Sequence, residues 1–401
     1  MKQRSYLKAT LIDTAEIFTE ELKHIFKDSG VVILFFAAGL LYPILYGFIY
    51  KNEVFRNIPI AIVNQSPTSL SRDFARRIDA TPEIKIAYKV NSMEEAKRLY
   101  AENEVYGIIY IPSSFSQDIH AGRQTRVFAY SSMASMMYYK GIYAGFNYVC
   151  MDMGHKIQMQ NLELKGLTEQ QAKAASQPIL SEGHALYNPK GGFASFLLPA
   201  VLVLILQQTL VLGIGMLAGT AREENTYHQL IPYQRKYHGT MRIISGKGLA
   251  YLILYAFIGM YDLILIPYLF DLPHFLTLSS IIPFLLPYLL ACIFFGMALS
   301  VFFWNREMSL LTFLCTSVPL LFISGFSWPG TNINSFWKTI SYFFPSTFGI
   351  QGFLKMNSMG ASIDQIGFEC MGLWIQTGVY FIFAFFVYRW QIRQSEKKIN
   401  Q

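Results

Sequence analysis

The stretch Val31-Val32-Ile33-Leu34-Phe35-Phe36-Ala37-Ala38-Gly39-Leu40-Leu41-Tyr42-Pro43-Ile44-Leu45-Tyr46-Gly47-Phe48-Ile49-Tyr50 decides the fold. As a helix, about 20 such residues at 1.5 Å each cover roughly 30 Å of hydrocarbon. Five comparable runs follow: Phe193–Leu217, Leu249–Phe270, Ile281–Trp304, Met308–Phe326 and Gly372–Trp390. In lipid each backbone N–H and C=O must be paired within its own segment, so runs of this kind cross as helices. The expected fold is a polytopic α-helical membrane protein with six transmembrane helices. An extracytoplasmic α/β domain is inserted between helices 1 and 2.

Charge placement orients the chain. The net charge of +7 could suggest nucleic acid. Its cations, however, gather beside the apolar runs. Lys2, Arg4, Lys8, Lys23 and Lys27 precede the first. Arg222, Arg235, Lys236, Arg242 and Lys247 fill the loop between the second and third, and Arg306 lies between the fourth and fifth. Arg389, Arg393, Lys397 and Lys398 follow the last, whereas the loop around Asp271 and His274 has no Lys or Arg. By the positive-inside rule both termini are cytoplasmic. The basic character thus reflects topology and contact with membrane lipid, not nucleic-acid binding. About 30 residues precede the first run, so it reads as a retained anchor and not as a signal peptide.

These boundaries divide the chain. Residues 1–30 form a cytoplasmic amphipathic helix, 31–50 the first transmembrane helix, 51–192 the exported domain, 193–390 helices 2 to 6, and 391–401 a cytoplasmic tail. Within the first segment Leu7, Leu11, Ala15, Phe18, Leu22 and Ile25 recur at helical spacing, which favours a helix lying at the inner membrane surface. In the exported segment Ile58–Asn64, Lys85–Val90, Val105–Ile111 and Arg126–Tyr130 read as strands, with helices at Ser69–Asp79 and Ser92–Glu102 between them. Alternation of this kind implies a small α/β domain. From Tyr138 to Ser176 the chain reads as a stalk-like helical arm. Arg72, Asp73, Arg76 and Arg77 form a charged face that reads most simply as solvated. The loop 327–371 is crowded with aromatics, including Trp328, Phe336, Trp337 and Phe343, and reads equally as short helices dipping into the outer interface or as an ordinary aromatic belt.

Catalytic chemistry is missing. In Gly239–Gly248, the positions where a phosphate-cradling loop needs Gly and then Ser or Thr hold Met241 and Gly248. The histidines are scattered and no cysteine pair has metal-site spacing, so neither catalytic nor metal-binding residues are expected. A disulfide between Cys150 and Cys370 is open to sequence reasoning but not established by it. Polar residues inside the apolar runs are costly and therefore candidates for a translocation pathway: Gln207, Gln208, Asp262 and Glu307. Gly213, Gly215 and Gly219 offer a small-residue face for close helix packing.

The informative polar cluster is Ala221-Arg222-Glu223-Glu224-Asn225-Thr226-Tyr227-His228-Gln229-Leu230, directly after the second run. Arg222, Glu223, Glu224, Asn225, Thr226 and Leu230 resemble the Arg-Glu-…-Gly-Thr-…-Leu motif of ABC-2 type transporter permeases, of the drug-efflux kind. Asn188-Pro189 before the second helix, Gly325 with Pro329 after the fifth, and Phe344-Pro345 in the outer loop fit the same family. Asn225 stands where the family usually has Gly. The resemblance implies that residues near 221–231 form a coupling helix docking on a separate cytoplasmic ABC ATPase. It also implies that Gly325, Pro329, Phe344 and Pro345 belong to an outer gate. This chain would be no enzyme and bind no cofactor; ATP and magnesium would sit on the partner ATPase. A second permease subunit, identical or closely related, and a periplasmic adaptor complete the expected partners, in a bacterial inner membrane. The expected function is export of amphipathic or hydrophobic small molecules. Two other classes remain open: an assembly or secretion component acting through the exported domain, and an ion-coupled transporter using Asp262.

Overall fold

The computed structural model describes residues 2–180, 182–189, 191–230, 239–328 and 330–399. The chain forms two compact units, Met1–Glu53 with Ala185–Gln401, and Val54–His184.

The first unit is helical. Among the described residues, six of its helices are long and apolar enough to cross a membrane: Ser29–Ile49, Phe193–Glu223, Thr240–Leu269, Ser279–Phe302, Arg306–Ile323 and Ile363–Lys398. We call these the first to sixth spans. Several extend past the apolar runs, because helical hydrogen bonding continues into polar flanks that leave the hydrocarbon. The first span contains a π segment, Ile33–Leu41. Its buried residues, Val31, Phe35, Gly39, Pro43 and Gly47, recur every four positions. A plain α-helix would rotate such a stripe by about 40° per step, and the wider π turn offsets that drift.

Close packing follows from the glycines of the second span. A Cβ placed on Gly213 would collide with the Phe35 ring, so that ring occupies the notch the missing side chain leaves. The same ring meets Tyr255 edge-on at 5.0 Å. Gly215 faces Phe303 and Ser309, and Gly219 lies against the Asn305–Arg306 backbone.

The N-terminal helix, Lys2–Lys27, packs against the third span. Its packed stripe is Asp13, Ile17, Glu21 and Ile25, while Leu11 is 70% and Phe26 58% exposed. Gly246 of the third span admits Ile17 and the Thr14 carbonyl. Asp13 pairs with Arg242, Lys247 donates to Glu21 at 2.6 Å, and the Tyr251 hydroxyl donates to the same carboxylate. Amphipathic pattern reading sends charge to solvent, whereas here carboxylates are buried against cations in the first turns of the third span.

The aromatic loop also differs from an interfacial layer. Ser335–Ser341 is a short helix exposing Phe336 and Trp337, but Pro345–Met359 is buried along Ile350, Phe353 and Met356 and packs inside the bundle. All four cysteines are free, including Cys150 and Cys370.

The second unit has a four-stranded sheet of β1 (Ile58–Asn64), β2 (Ile84–Val90), β3 (Gly107–Ile111) and β4 (Phe128–Ser131). Their order is β2-β1-β3-β4, with β4 antiparallel. The connecting helices are α1 (Ser69–Asp79), α2 (Met93–Ala101) and α3 (Phe115–His120); α4 (Met136–Leu164) and α5 (Glu169–Ser176) follow. Strand alternation sorts the core. Ile58, Ile60 and Ile62 pack with Phe74 and Ile78 of α1, whereas Ala61 and Val63 pack with Ala96 and Leu99 of α2. The first half of α4 is a layer of this core and not a free stalk. Ile142, Phe146 and Val149 are buried on the sheet, and Gly145 brings its backbone within reach of Ile84.

Candidate functional site

The second span stays helical through Arg222 and Glu223 and is capped at Glu224. Asn225 then takes φ +53°, and Thr226–Leu230 makes a 3-10 turn. A side chain in left-handed backbone costs roughly 1–2 kcal/mol, least for Asn, whose amide bonds locally. Asn225 thus serves at the corner as Gly would. The segment is accordingly a helix end, a corner and a tight turn, where the sequence predicts one short helix over 221–231.

This element is firmly seated. Arg222 Nη1 donates to the Val301 carbonyl at 2.8 Å, and its guanidinium lies 4.3 Å from the Trp304 ring centroid and 5.4 Å from that of Trp390. Tyr227 is buried edge-on to Tyr388, and burial pushes its phenol pKa up. Ser395 of the sixth span donates to the Asn225 carbonyl at 3.1 Å and accepts from His228 N at 3.1 Å. Thr226 donates to the Ala221 carbonyl at 3.3 Å, and Leu230 is half-buried. Glu223, Glu224 and Gln229 are exposed. A cavity of about 660 Å3 runs beside the turn, between Glu224 and Gln229 and the N-terminal helix at Glu20, His24 and Lys27.

The polar residues of the interior do not converge. Gln207 Oε1 accepts from Ser346 N at 2.5 Å, serving a free donor at the start of the Pro345–Met359 helix. Gln208 donates to Thr316 of the fifth span at 3.4 Å. Both glutamines line a cavity with Thr312 and Phe344, but its volume of about 30 Å3 admits water and not cargo. Asp262 does not line it. This residue is fully buried in a π turn, Tyr261–Leu265, with neither carboxylate oxygen hydrogen-bonded among the described residues. Glu307 is exposed in the first turn of the fifth span.

At the opposite end of the second span, Gly325 turns with φ +81°. Gln351 donates to the Ser324 carbonyl beside it at 2.9 Å. Phe344 precedes Pro345, whose fixed φ suits the first helical turn, and its ring meets Phe295 at 5.8 Å. Gly325, Phe344 and Pro345 therefore border connected elements; Pro329 lies outside the described residues.

One further contact carries a local sequence signal. Asp28 accepts from Gly30 N and Val31 N, the N-cap pattern that Asp-Ser-Gly before an apolar run announces. Arg306 Nη1 and Nη2 also donate to its carboxylate, each at 2.6 Å. This pairing holds the Asp28 carboxyl below its ordinary range. Ser395, Trp304 and Trp390 carried no local signal, since only folding brings them to Arg222 and Asn225.

No individual curated protein matches the chain. The sequence model of the ABC-2 family transporter proteins does match, over residues 30–386, from the first span almost to the end of the sixth. With six membrane-capable helices among the described residues and a family match across nearly its whole length, the chain is a multi-pass membrane protein belonging to the ABC-2 transporter family, whose permeases associate with ABC ATPase subunits.

Proposed function

We propose that this chain is the permease subunit of an ATP-driven exporter of amphipathic or hydrophobic small molecules. It pairs with a second permease subunit and with separate ATPase subunits that carry the ATP and magnesium. Both termini and the Arg222–Leu230 turn face the cytoplasm of a bacterial inner membrane, and the α/β unit faces outward, where a periplasmic adaptor docks. The observation that carries this reading is the split character of the turn. Arg222, Tyr227 and Asn225 hold it to the bundle, while Glu223, Glu224 and Gln229 stay exposed for a partner. A push on the exposed side reaches the second and sixth spans through those anchors, biasing a rigid-body change between inward- and outward-facing states. Gln207, Gln208, Asp262 and Glu307 line the pathway in states more open than this one, and Gly325, Pro329, Phe344 and Pro345 form its outer gate.

The test is a detergent pull-down of tagged chain with ATPase activity measured in the eluate, wild type beside Glu223→Arg/Glu224→Arg. Co-purifying ATPase activity lost in the variant supports the reading. Absence of ATPase with the wild type under several mild extractions overturns it. The orphaned carboxylate of Asp262 favours one second reading, ion-coupled transport through that residue. It predicts transport that persists without ATP and collapses with the proton gradient.

A further inference from the structure

The charged face of α1 borders a cavity of about 650 Å3 against the edge strand β2. Its floor is apolar, with Ile62 of β1, Ala75 of α1 and Ile86 of β2. Its rim is basic, with Arg72 and Arg76 on one side and Lys89 on the other. Arg77 turns away to Asp73 and Asp152 and takes no part. The one acidic side chain in the lining, Asp79, is engaged, accepting from Ile86 N at 2.7 Å. Three cations against one occupied carboxylate leave the cavity net positive.

The position of Lys89 is a consequence of a β-bulge. β1 pairs with β2 as Ile60 to Ile86, and the register then shifts so that Ile62 pairs with Lys89. Uninterrupted pairing would put Tyr88 opposite Ile62. The extra residue instead sends Tyr88 to Glu104, where its hydroxyl donates at 3.0 Å, and brings the lysine onto the cavity face. Re-aiming a side chain is what bulges do beside binding sites. Arg76 is free to engage a ligand, since its bond to Asp73 is a solvent-exposed pair of the kind that contributes little. Arg72 spends one nitrogen on the Pro67 carbonyl and keeps its other donors.

We infer that this groove binds organic anions with an apolar body, the headgroup held by Arg72, Arg76 and Lys89 and the body laid on Ala75 and Ile86. A cavity of this volume falls in the usual range for small-molecule sites. An acidic peptide adding as a further strand fits less well. The Ile86 N–H is already taken by Asp79, and the bulge breaks the edge a new strand would follow. The inference does not depend on the exporter reading.

The experiment uses full-length chain in phosphatidylcholine nanodiscs, with empty nanodiscs subtracted. Two fluorescent probes share an aromatic body: anionic 8-anilinonaphthalene-1-sulfonate and neutral N-phenyl-1-naphthylamine. Arg72→Gln/Arg76→Gln/Lys89→Gln should weaken the anionic probe about tenfold, as expected for three partly exposed charges, and leave the neutral probe unchanged. Taurocholate should displace the anionic probe from wild type. Equal binding by wild type and variant overturns the inference, as does equal loss of both probes. Displacement by a glutamate-rich peptide but not by taurocholate also overturns it, assigning the groove to a protein partner. Melting temperature controls for folding. If the triple variant does not fold, Lys89→Gln alone carries the test, with a loss of about threefold expected.

Discussion

The Ser395 hydroxyl donates to the main-chain carbonyl of Asn225 at 3.1 Å, so the sixth span holds the corner that ends the second. Asn225 is left-handed, and this bond helps keep it so. Asn225→Gly should therefore leave stability within about 0.5 kcal/mol, whereas Asn225→Val should cost about 1–2 kcal/mol. Thermal melts in detergent check the pair, and equal stability of the two variants would remove the case for a strained corner.

Asp13 and Arg242 form an ion pair in which both side chains are nearly inaccessible. Removing one partner strands the other charge. Arg242→Met alone should cost about 3–5 kcal/mol, and Asp13→Leu/Arg242→Met should recover most of that loss. A double variant no more stable than the single one would show that the pair is not the relevant unit.

The ring of Phe35 lies where a Gly213 side chain would stand. Gly213→Ala should lower stability by about 1–3 kcal/mol through overpacking, and Phe35→Leu in the same chain should restore part of it. Additive losses in the double variant, read as melting temperatures, would contradict the contact.

Hydrogen bonding from Arg306 lowers the Asp28 pKa from its ordinary value of 3.8. A carboxyl with a lowered folded-state pKa adds stability above its ordinary value and loses it as pH falls through the lowered one. The melting-temperature gap between wild type and Asp28→Asn should stay constant from about pH 5 to 8 and close below about pH 4. A gap that instead widened in acid would reverse the assignment.

Gln207 accepts from Ser346 N in the buried interior. Gln207→Leu leaves that donor unpaired and should cost about 1–3 kcal/mol, whereas Gln207→Glu retains an acceptor. Melts of both variants check this; equal destabilisation would point to packing rather than to the bond.

Sequence alone determined the apolar spans, the alternating strands of the α/β unit and the charged turn after the second span. Each rests on a local rule: hydrocarbon thickness sets run length, side-chain period marks strand or helix, and Asn tolerates a left-handed corner. Asp28 was legible by the same kind of rule. Tertiary structure alone decided which charges are buried. Asp13 and Glu21 look like a solvated face until Arg242 and Lys247 arrive from more than two hundred residues away. It also decided that Arg222 faces inward between Trp304 and Trp390, that Gln207 and Gln208 meet different helices, and that Pro345–Met359 packs inside the bundle. The register shift that brings Lys89 to the groove belongs here too. The physical reason is common to all of these. A residue's hydrophobicity and helical position are its own, but the partner that makes burying a charge or an amide affordable comes from elsewhere in the chain.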